Sequence, residues 1–327
     1  MKIAFLAYPK CSLWSLIGSY EIFQKTERMV QLYPSRFKLK QNFTLMTVST
    51  TSERKIIGSY GNGFETDCTI FEMERPDLLI IPGFDRDFNM ILSDQAMINT
   101  IKDLYQNGTD IATVCTGAFI LAETGILDHQ TATTHWLYKK EFTYRFKTIQ
   151  LEIDKLLIDH QRICMSGGAS SFQNMMIYLI EKYLSKELAI FMSKMLLIEN
   201  DRYNQNNFVI FNGQKNHGDT SILKAQNLIE EKMDQFIPIE ELAQNSYMSK
   251  RNFLRRFKMA TGDTPFVYMQ KTKIEAAKNL LEEIHYPILE IAFRTGYTDY
   301  PSFRKSFKTL TGLTPSEYRK KYCIIQH

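Results

Sequence analysis

The sequence predicts an α/β sandwich followed by an all-helical domain, and three observations predict it. Residues 1–198 alternate short, near-continuous apolar runs with helical patterns. Residues 199–220 are rich in asparagine and have no helical period, and beyond them one unit occurs twice at an offset of fifty residues. Apolar strands alternating with helices are the pattern of a mainly parallel sheet covered on both faces. Self-similarity at a fixed offset marks a supersecondary unit used twice.

Lys2–Tyr8 (KIAFLAY), Phe43–Thr50 (FTLMTVST), Asp77–Pro82 (DLLIIP) and Asp110–Val114 (DIATV) read as buried parallel strands. Leu13–Lys25, Asp94–Asn107 and Thr116–Thr124 read as the helices between them. A hairpin of Leu156–Asp159 and Arg162–Met165 follows, and helices over Ser170–Leu184 and Lys186–Ile198 close this domain. The interdomain segment, 199–220, holds Asn200, Asn204, Asn206, Asn207, Asn212 and Asn216 with Gly213 and Gly218. Within it Phe208–Phe211 is apolar enough to pack on a neighbour.

The helical domain spans 221–323. Phe257-Lys258-x-x-Thr261-Gly262-x-Thr264-Pro265-x-x-Tyr268 recurs as Phe307-Lys308-x-x-Thr311-Gly312-x-Thr314-Pro315-x-x-Tyr318, and Phe253 recurs as Phe303. Each copy has the grammar of a helix-turn-helix. In the first, Ile239–Gln244 is a short helix, Asn245–Met248 a turn and Ser249 an N-cap; the next helix runs to about Ala260 and stops at Gly262. In the second, Ile288–Arg294, Gly296-Tyr297 and Tyr300–Leu310 play the same parts, and the long helix Phe266–Glu283 joins the copies. Ala243 and Ala292 are small where two helices must approach closely.

The chain has 327 residues, 44% hydrophobic and 23% charged, which excludes collagen-like, low-complexity and wholly disordered classes. Cys11, Cys68, Cys115, Cys164 and Cys323 are scattered with no C-x-x-C pair, so neither a disulfide framework nor a zinc site is expected, and no cofactor is implied. The apolar run Ile3–Tyr8 is too short for a signal peptide, and the longest candidate span, Met175–Leu184, is broken by Glu181 and Lys182. A soluble, cytoplasmic protein with no membrane partner is expected. Net charge is +4, but from Ile222 onward 17 basic residues face 12 acidic ones, whereas the first 221 residues are close to neutral. Excess positive charge confined to one domain is the asymmetry of a part that touches a polyanion.

In the second helix of copy one, Phe253, Phe257 and Met259 are assigned to the core, and Arg251 and Arg255 share the opposite face. Arginine on such a face can bond bidentately to guanine in the major groove. In copy two Phe303 and Phe307 are the core pair, leaving Tyr300, Ser302 and Lys305 outward. Lys250, Arg256, Arg304 and Lys308 flank these faces and suit phosphates. From about Leu223 to Tyr322, including the closing Gly312-Leu313-Thr314-Pro315-Ser316-Glu317-Tyr318-Arg319 signature, the chain closely resembles the AraC/XylS family of bacterial transcription regulators. The resemblance implies double-stranded operator DNA as partner and two recognition helices in successive major grooves, about 34 Å apart. It also implies Arg251, Arg255, Tyr300, Ser302 and Lys305 as base readers. Lys273 stands in the connecting helix where the family commonly has arginine, so a bidentate bridge there is lost.

Asp110–Val114 runs into Cys115, then a small-residue turn that opens a helix. That elbow exposes a side chain at a helix N-terminus, which favours thiolate over thiol. His135, in Thr133-Thr134-His135-Trp136, can fold back toward the sulfur, and a Cys–His pair is the minimum for covalent catalysis. A buried cysteine that merely fills space is the plainer alternative. Residues 1 to about 195 resemble the PfpI/class I glutamine-amidotransferase-like superfamily in its GlxA-like form, on Val114-Cys115-Thr116-Gly117-Ala118-Phe119, Gly125-Ile126-Leu127-Asp128 and Ala132-Thr133-Thr134-His135-Trp136. The resemblance implies a flavodoxin-like, PfpI-like fold. Enzymes of that fold use the elbow cysteine with an acid from the first helix and a backbone N–H pocket at a Pro-Gly-Gly turn. Here Ser15 stands in place of the acid, Glu21 lies nearly two turns further on, and Phe84 replaces the second glycine.

The expected protein is thus a sequence-specific transcription regulator, a homodimer responding to a small-molecule effector in a pocket of Ser15, Gly83, Cys115, Thr116 and His135. The alternative is a hydrolase or hydratase acting through Cys115 and His135, with an attached DNA-binding domain.

Overall fold

Ile3, Ala4, Phe5, Leu6 and Ala7 are all buried, so β1 (Lys2–Ala7) can only lie inside a sheet covered on both faces. The structure, a computed structural model, describes residues 1–199, 204–283 and 286–323. Asn200 of the interdomain segment lies outside the described residues. The chain divides into two compact units, Met1–Gln205 and the residues from Asn206 onward.

In the first unit β1 is followed by α1 (Leu13–Leu32), β2 (Thr44–Ser49), β3 (Lys55–Ile57), β4 (Gly63–Glu65), β5 (Cys68–Thr69) and β6 (Leu78–Ile81). Next come α2 (Phe88–Leu92), α3 (Gln95–Gln106), β7 (Asp110–Val114), α4 (Gly117–Glu123), β8 (Thr131–Ala132), α5 (Lys139–Arg145) and β9 (Gln150–Leu151). The hairpin β10 (Leu157–Asp159) and β11 (Ile163–Ser166) and the helices α6 (Phe172–Tyr183) and α7 (Lys186–Met195) close it. The main sheet has the order β10-β11-β7-β6-β1-β2-β5, parallel throughout except for β10. The expected α/β sandwich is present. Strand β7 is an interior strand between β11 and the middle strand β6, so its C-terminal end, where Cys115 sits, lies away from both side edges of the sheet. The pattern missed the exposed pair β3–β4 and the two-residue β5, and it ended α1 two turns early. Strands this short are defined by their partners rather than by their own periodicity.

The second unit is helical: α8 (Thr220–Glu231), α9 (Ile239–Asn245), α10 (Lys250–Thr261), α11 (Pro265–Glu282), α12 (Ile288–Arg294), α13 (Tyr300–Thr311) and α14 (Pro315–Tyr322). Its two cores match the repeat. Phe253, Phe257 and Tyr268 with Leu242 and Ala243 form one; Phe303, Phe307 and Tyr318 with Ile291 and Ala292 form the other. The repeated Thr-Gly-x-Thr-Pro string is a structural device. Gly262 and Gly312 end α10 and α13 in the left-handed region, at φ 82° and 79°. Thr264 and Thr314 cap the next helices, each of which has proline in its first turn. Tyr268 and Tyr318 donate to Glu230 and Glu282, at 2.7 and 2.9 Å. Helix α11 is therefore shared, closing the first copy and opening the second.

Candidate functional site

Two sites emerge, one in each unit. The first surrounds Cys115, whose φ of 56° makes it a sharp strand-to-helix elbow. Such a left-handed conformation is costly for a residue with a Cβ and is held here by its neighbours. The Cys115 N–H donates to Ser166 at 2.8 Å, and Thr134 Oγ1 donates to the Cys115 carbonyl at 2.9 Å. Gly83 faces the elbow so closely that a Cβ there would stand 3.1 Å from Thr116 Oγ1 and 3.2 Å from Cys115 Cβ. Ser15 Oγ accepts from the Gly83 N–H at 3.2 Å. Ser15, Gly83, Cys115 and Thr116 thus lie side by side in the fold.

The chemistry of the elbow differs from expectation. Cys115 is buried, and loss of solvation pushes its thiol up to about 12, against which a hydrogen bond from the Thr116 backbone works only in part. The expected preference for thiolate is reversed because the elbow points into the fold. Burial likewise holds the His135 imidazole below its usual value, with Asp85 opposing. His135 Nδ1 accepts from the N–H of Leu137 at 3.2 Å, so this nitrogen caps its own turn. Among the described residues no hydrogen bond joins it to Cys115. The amides of the 82–84 turn are spent as well: Gly83 on Ser15, and Phe84 on Thr116 Oγ1 at 2.6 Å. Phe84 is buried against Tyr8, Phe88 and Phe119. Glu21 is exposed and pairs with Lys25 at 2.6 Å. Sequence reasoning missed Asp85, whose charge acts on Cys115, His135 and Tyr138. It also missed Gln205, whose amide donates to the Thr134 carbonyl at 2.8 Å. Neither carries a local pattern that could have announced it.

The second site is the outward face of α10 and α13. Arg251 and Arg255 are exposed on α10, and Arg255 reaches Asn252 Oδ1 at 3.1 Å and Met259 Sδ at 3.5 Å. Met259 is 74% exposed, which corrects its assignment to the core: it lies four residues beyond Arg255 and so shares that face. On α13, Ser302, Arg304, Lys305 and Lys308 are exposed, while Tyr300 is half-buried against Phe303 at 6.2 Å between ring centroids. Tyr300, Pro301, Arg304, Lys305, Lys308 and Thr309 line an open concavity along this helix. Lys250 pairs with Glu240 at 2.6 Å on the surface, a bond weak enough to exchange for a phosphate. Arg256 is different. Its guanidinium holds Asp219, the cap of α8, at 2.8 and 3.0 Å, so it fastens α10 inside the domain. Lys273 donates to the Gly296 carbonyl at 2.9 Å, a single bond to the second turn in place of a fork. In the first turn the place of Gly296 (φ 75°) is taken by Tyr247, at φ 55° and 98% exposed. Helices α10 and α13 also begin differently: Ser249 caps α10, and Asp299, held below the usual carboxylate range by the Ser302 N–H, caps α13.

Comparison with known proteins gives the same two parts. A family model described as the DJ-1/PfpI family matches residues 1–182, and one described as a helix-turn-helix domain matches residues 242–321. The chain is 25% identical over 222 residues to the HTH-type transcriptional regulator ArgR of Pseudomonas aeruginosa, covering 68% of this chain and 67% of that protein. It is 23% identical over 266 residues to the HTH-type transcriptional regulator CdhR of the same organism, covering 81% and 78%. Among solved structures, DJ-1beta of Drosophila melanogaster aligns with a TM-score of 0.51 at 13% identity, over 61% of this chain and 98% of that one, which shows the fold.

Proposed function

We propose a regulator's role for this chain, which belongs to the DJ-1/PfpI family over its first 182 residues and carries a helix-turn-helix domain over 242–321. It is a sequence-specific DNA-binding transcription regulator. The observation that carries this is the exposed face of α10, where Arg251 and Arg255 stand clear of the Phe253–Phe257 core. The outward residues of α13, Ser302 and Lys305 with Tyr300 at the edge, are the second base-reading set. Lys250, Arg304 and Lys308 hold phosphates. Arg256 is left out of that group because Asp219 occupies it.

The N-terminal unit is a sensor in this reading. Ser15, Gly83, Cys115, Thr116 and His135 form the pocket of a small-molecule effector, and the protein acts as a cytoplasmic homodimer. Among the described residues no helix is long and apolar enough to cross a membrane. Catalysis through Cys115 and His135 is disfavoured on three grounds: a buried protonated thiol, a histidine turned to Leu137, and turn amides bonded internally. The test is selection of duplexes from a random pool by the full-length protein. Enrichment of a common sequence spanning two successive major grooves is expected. Binding that never exceeds that of random duplex would overturn the reading.

A further inference from the structure

Residues 206–215 are tied at several points to the helices of their unit. The turn Asn206–Phe208 lies against α13, and Asn207 is buried. Phe208 meets the Tyr322 ring edge-on at 6.2 Å, with the Lys321 ammonium 4.9 Å over it. The Val209 carbonyl then accepts from Lys278, and the Phe211 N–H donates to Glu275 at 3.1 Å. Glu275 and Lys278 pair with each other at 2.8 Å, and the lysine side chain is only 6% exposed. A buried ion pair is stable only if its remaining protons and lone pairs find partners, and the backbone of this segment supplies one to each side chain. Phe211 packs edge-on against Tyr268 at 5.0 Å. Gly213, at φ 58°, passes so near the Tyr268 hydroxyl that any Cβ would overlap it. Gln226 donates to the Gln214 carbonyl at 2.7 Å, and Lys215 pairs with Glu230 at 2.6 Å. The segment thus runs from the second helix-turn-helix motif, along α11, to α8 beside the first.

Helix α11 supplies Tyr268 to one core and Ile274, Ala277 and Leu281 to the other. Long helices curve readily, so a second tie between the motifs matters for the spacing of α10 and α13. The chain just before this segment is equally fixed within its own unit. The Gln205 side chain, 2% exposed, donates to the carbonyls of Thr134 and Ile153 at 2.8 and 2.5 Å and accepts from the Trp136 N–H at 3.3 Å. Thr134 in turn holds the Cys115 carbonyl. One residue, Asn206, separates Gln205, buried in the first unit, from Asn207, buried in the second.

We propose that residues 205–215 are a coupling strap: clamped on Glu275, Lys278 and Tyr268, they set the spacing of the two recognition helices, and Gln205 lets the Cys115–His135 site adjust that spacing. This rests on the DNA-binding reading above. A ligand that moved the 134–136 segment would pull on Gln205 and so on the strap.

The test uses the full-length protein, a duplex it selects from a random pool, and the same duplex with one base pair inserted between the two half-sites. The insertion shifts one half-site by about 3.4 Å and turns it by about 35°. The wild type is expected to lose about tenfold or more on insertion. Phe211→Ala and Gly213→Val, which unseat the strap far from α10 and α13, should reduce that ratio to about threefold or less, while Phe211→Leu keeps it. Gln205→Ala should change the ratio by about threefold or more. Helical circular dichroism and affinity for random duplex identify a variant that fails to fold; if Gly213→Val does so, Phe211→Ala decides. A wild type indifferent to the insertion, or strap variants that keep the wild-type ratio, would overturn the proposal. An unchanged ratio in Gln205→Ala alone would overturn the coupling to the Cys115 site. If no duplex is selected, the DNA-binding reading fails and this proposal with it.

Discussion

The Phe84 amide donates to Thr116 Oγ1 at 2.6 Å, and that hydroxyl donates back to the Phe84 carbonyl at 2.5 Å. One threonine therefore satisfies both the amide and the carbonyl of Phe84. Thr116→Val keeps the shape and strands a buried N–H, which should cost about 1–3 kcal/mol. Both tryptophans, Trp14 and Trp136, lie in the N-terminal unit. Their fluorescence during urea unfolding reads this loss directly. Unchanged stability would mean that the Phe84 amide is satisfied in some other way.

Cys115 should resist alkylation. With burial pushing its thiol up to about 12, the native protein holds far less thiolate near neutral pH than the unfolded chain. Iodoacetamide at pH 7.5, followed by peptide mass mapping, should modify Cys115 in urea and leave it intact in buffer. The raised value also gives a sign. Below pH 9 both states keep the proton and stability is unaffected by this group. Between pH 9 and about 12 only the unfolded state releases it, so stability falls as pH rises through that window.

Arg255→Ala should weaken binding to the selected duplex by about 1–3 kcal/mol and relax preference at one base pair, leaving random duplex nearly unaffected. Lys308→Ala should weaken all duplexes alike and make the salt dependence shallower. Fluorescence anisotropy across a salt series separates the two. Equal losses on selected and random DNA for Arg255→Ala would remove it from the base readers.

Tyr247→Gly should stabilise the helical unit. The tyrosine is almost wholly exposed and sits at φ 55° where the second copy has Gly296, so its side chain contributes strain without burial. Relief of a left-handed conformation is worth about 1 kcal/mol. Helical circular dichroism in urea checks it. A loss of stability would show that the Tyr247 ring makes contacts in solution that offset the strain.

Legibility in the sequence followed the range of the interactions. Lys2–Ala7 and Asp110–Val114 announce themselves because burial on both faces forces every residue to be apolar. The Thr-Gly-x-Thr-Pro strings were equally clear, since a left-handed cap and the next N-cap are decided within five residues. Met259 was misplaced although the rule was available: six residues at about 100° each carry it well away from Phe253. The state of Cys115 was not legible, because burial is a property of the assembled sheet. In the interdomain segment the packing of Phe208–Phe211 was legible from its apolar character, but its polar clamps were hidden for the same reason. Gln205 and Thr134 are 71 residues apart, and a polar, asparagine-rich tract looks alike whether solvated or clamped.

Ser249 and Asp299 occupy equivalent places at the start of α10 and α13, yet only one of them is charged. A carboxylate at the end of a helix that approaches phosphates subtracts from the attraction its neighbouring Lys305 and Arg304 supply, whereas a hydroxyl does not. The duplication has in this way acquired a polarity. In the proposed complex the α10 and α13 ends would therefore differ in their attraction to phosphates.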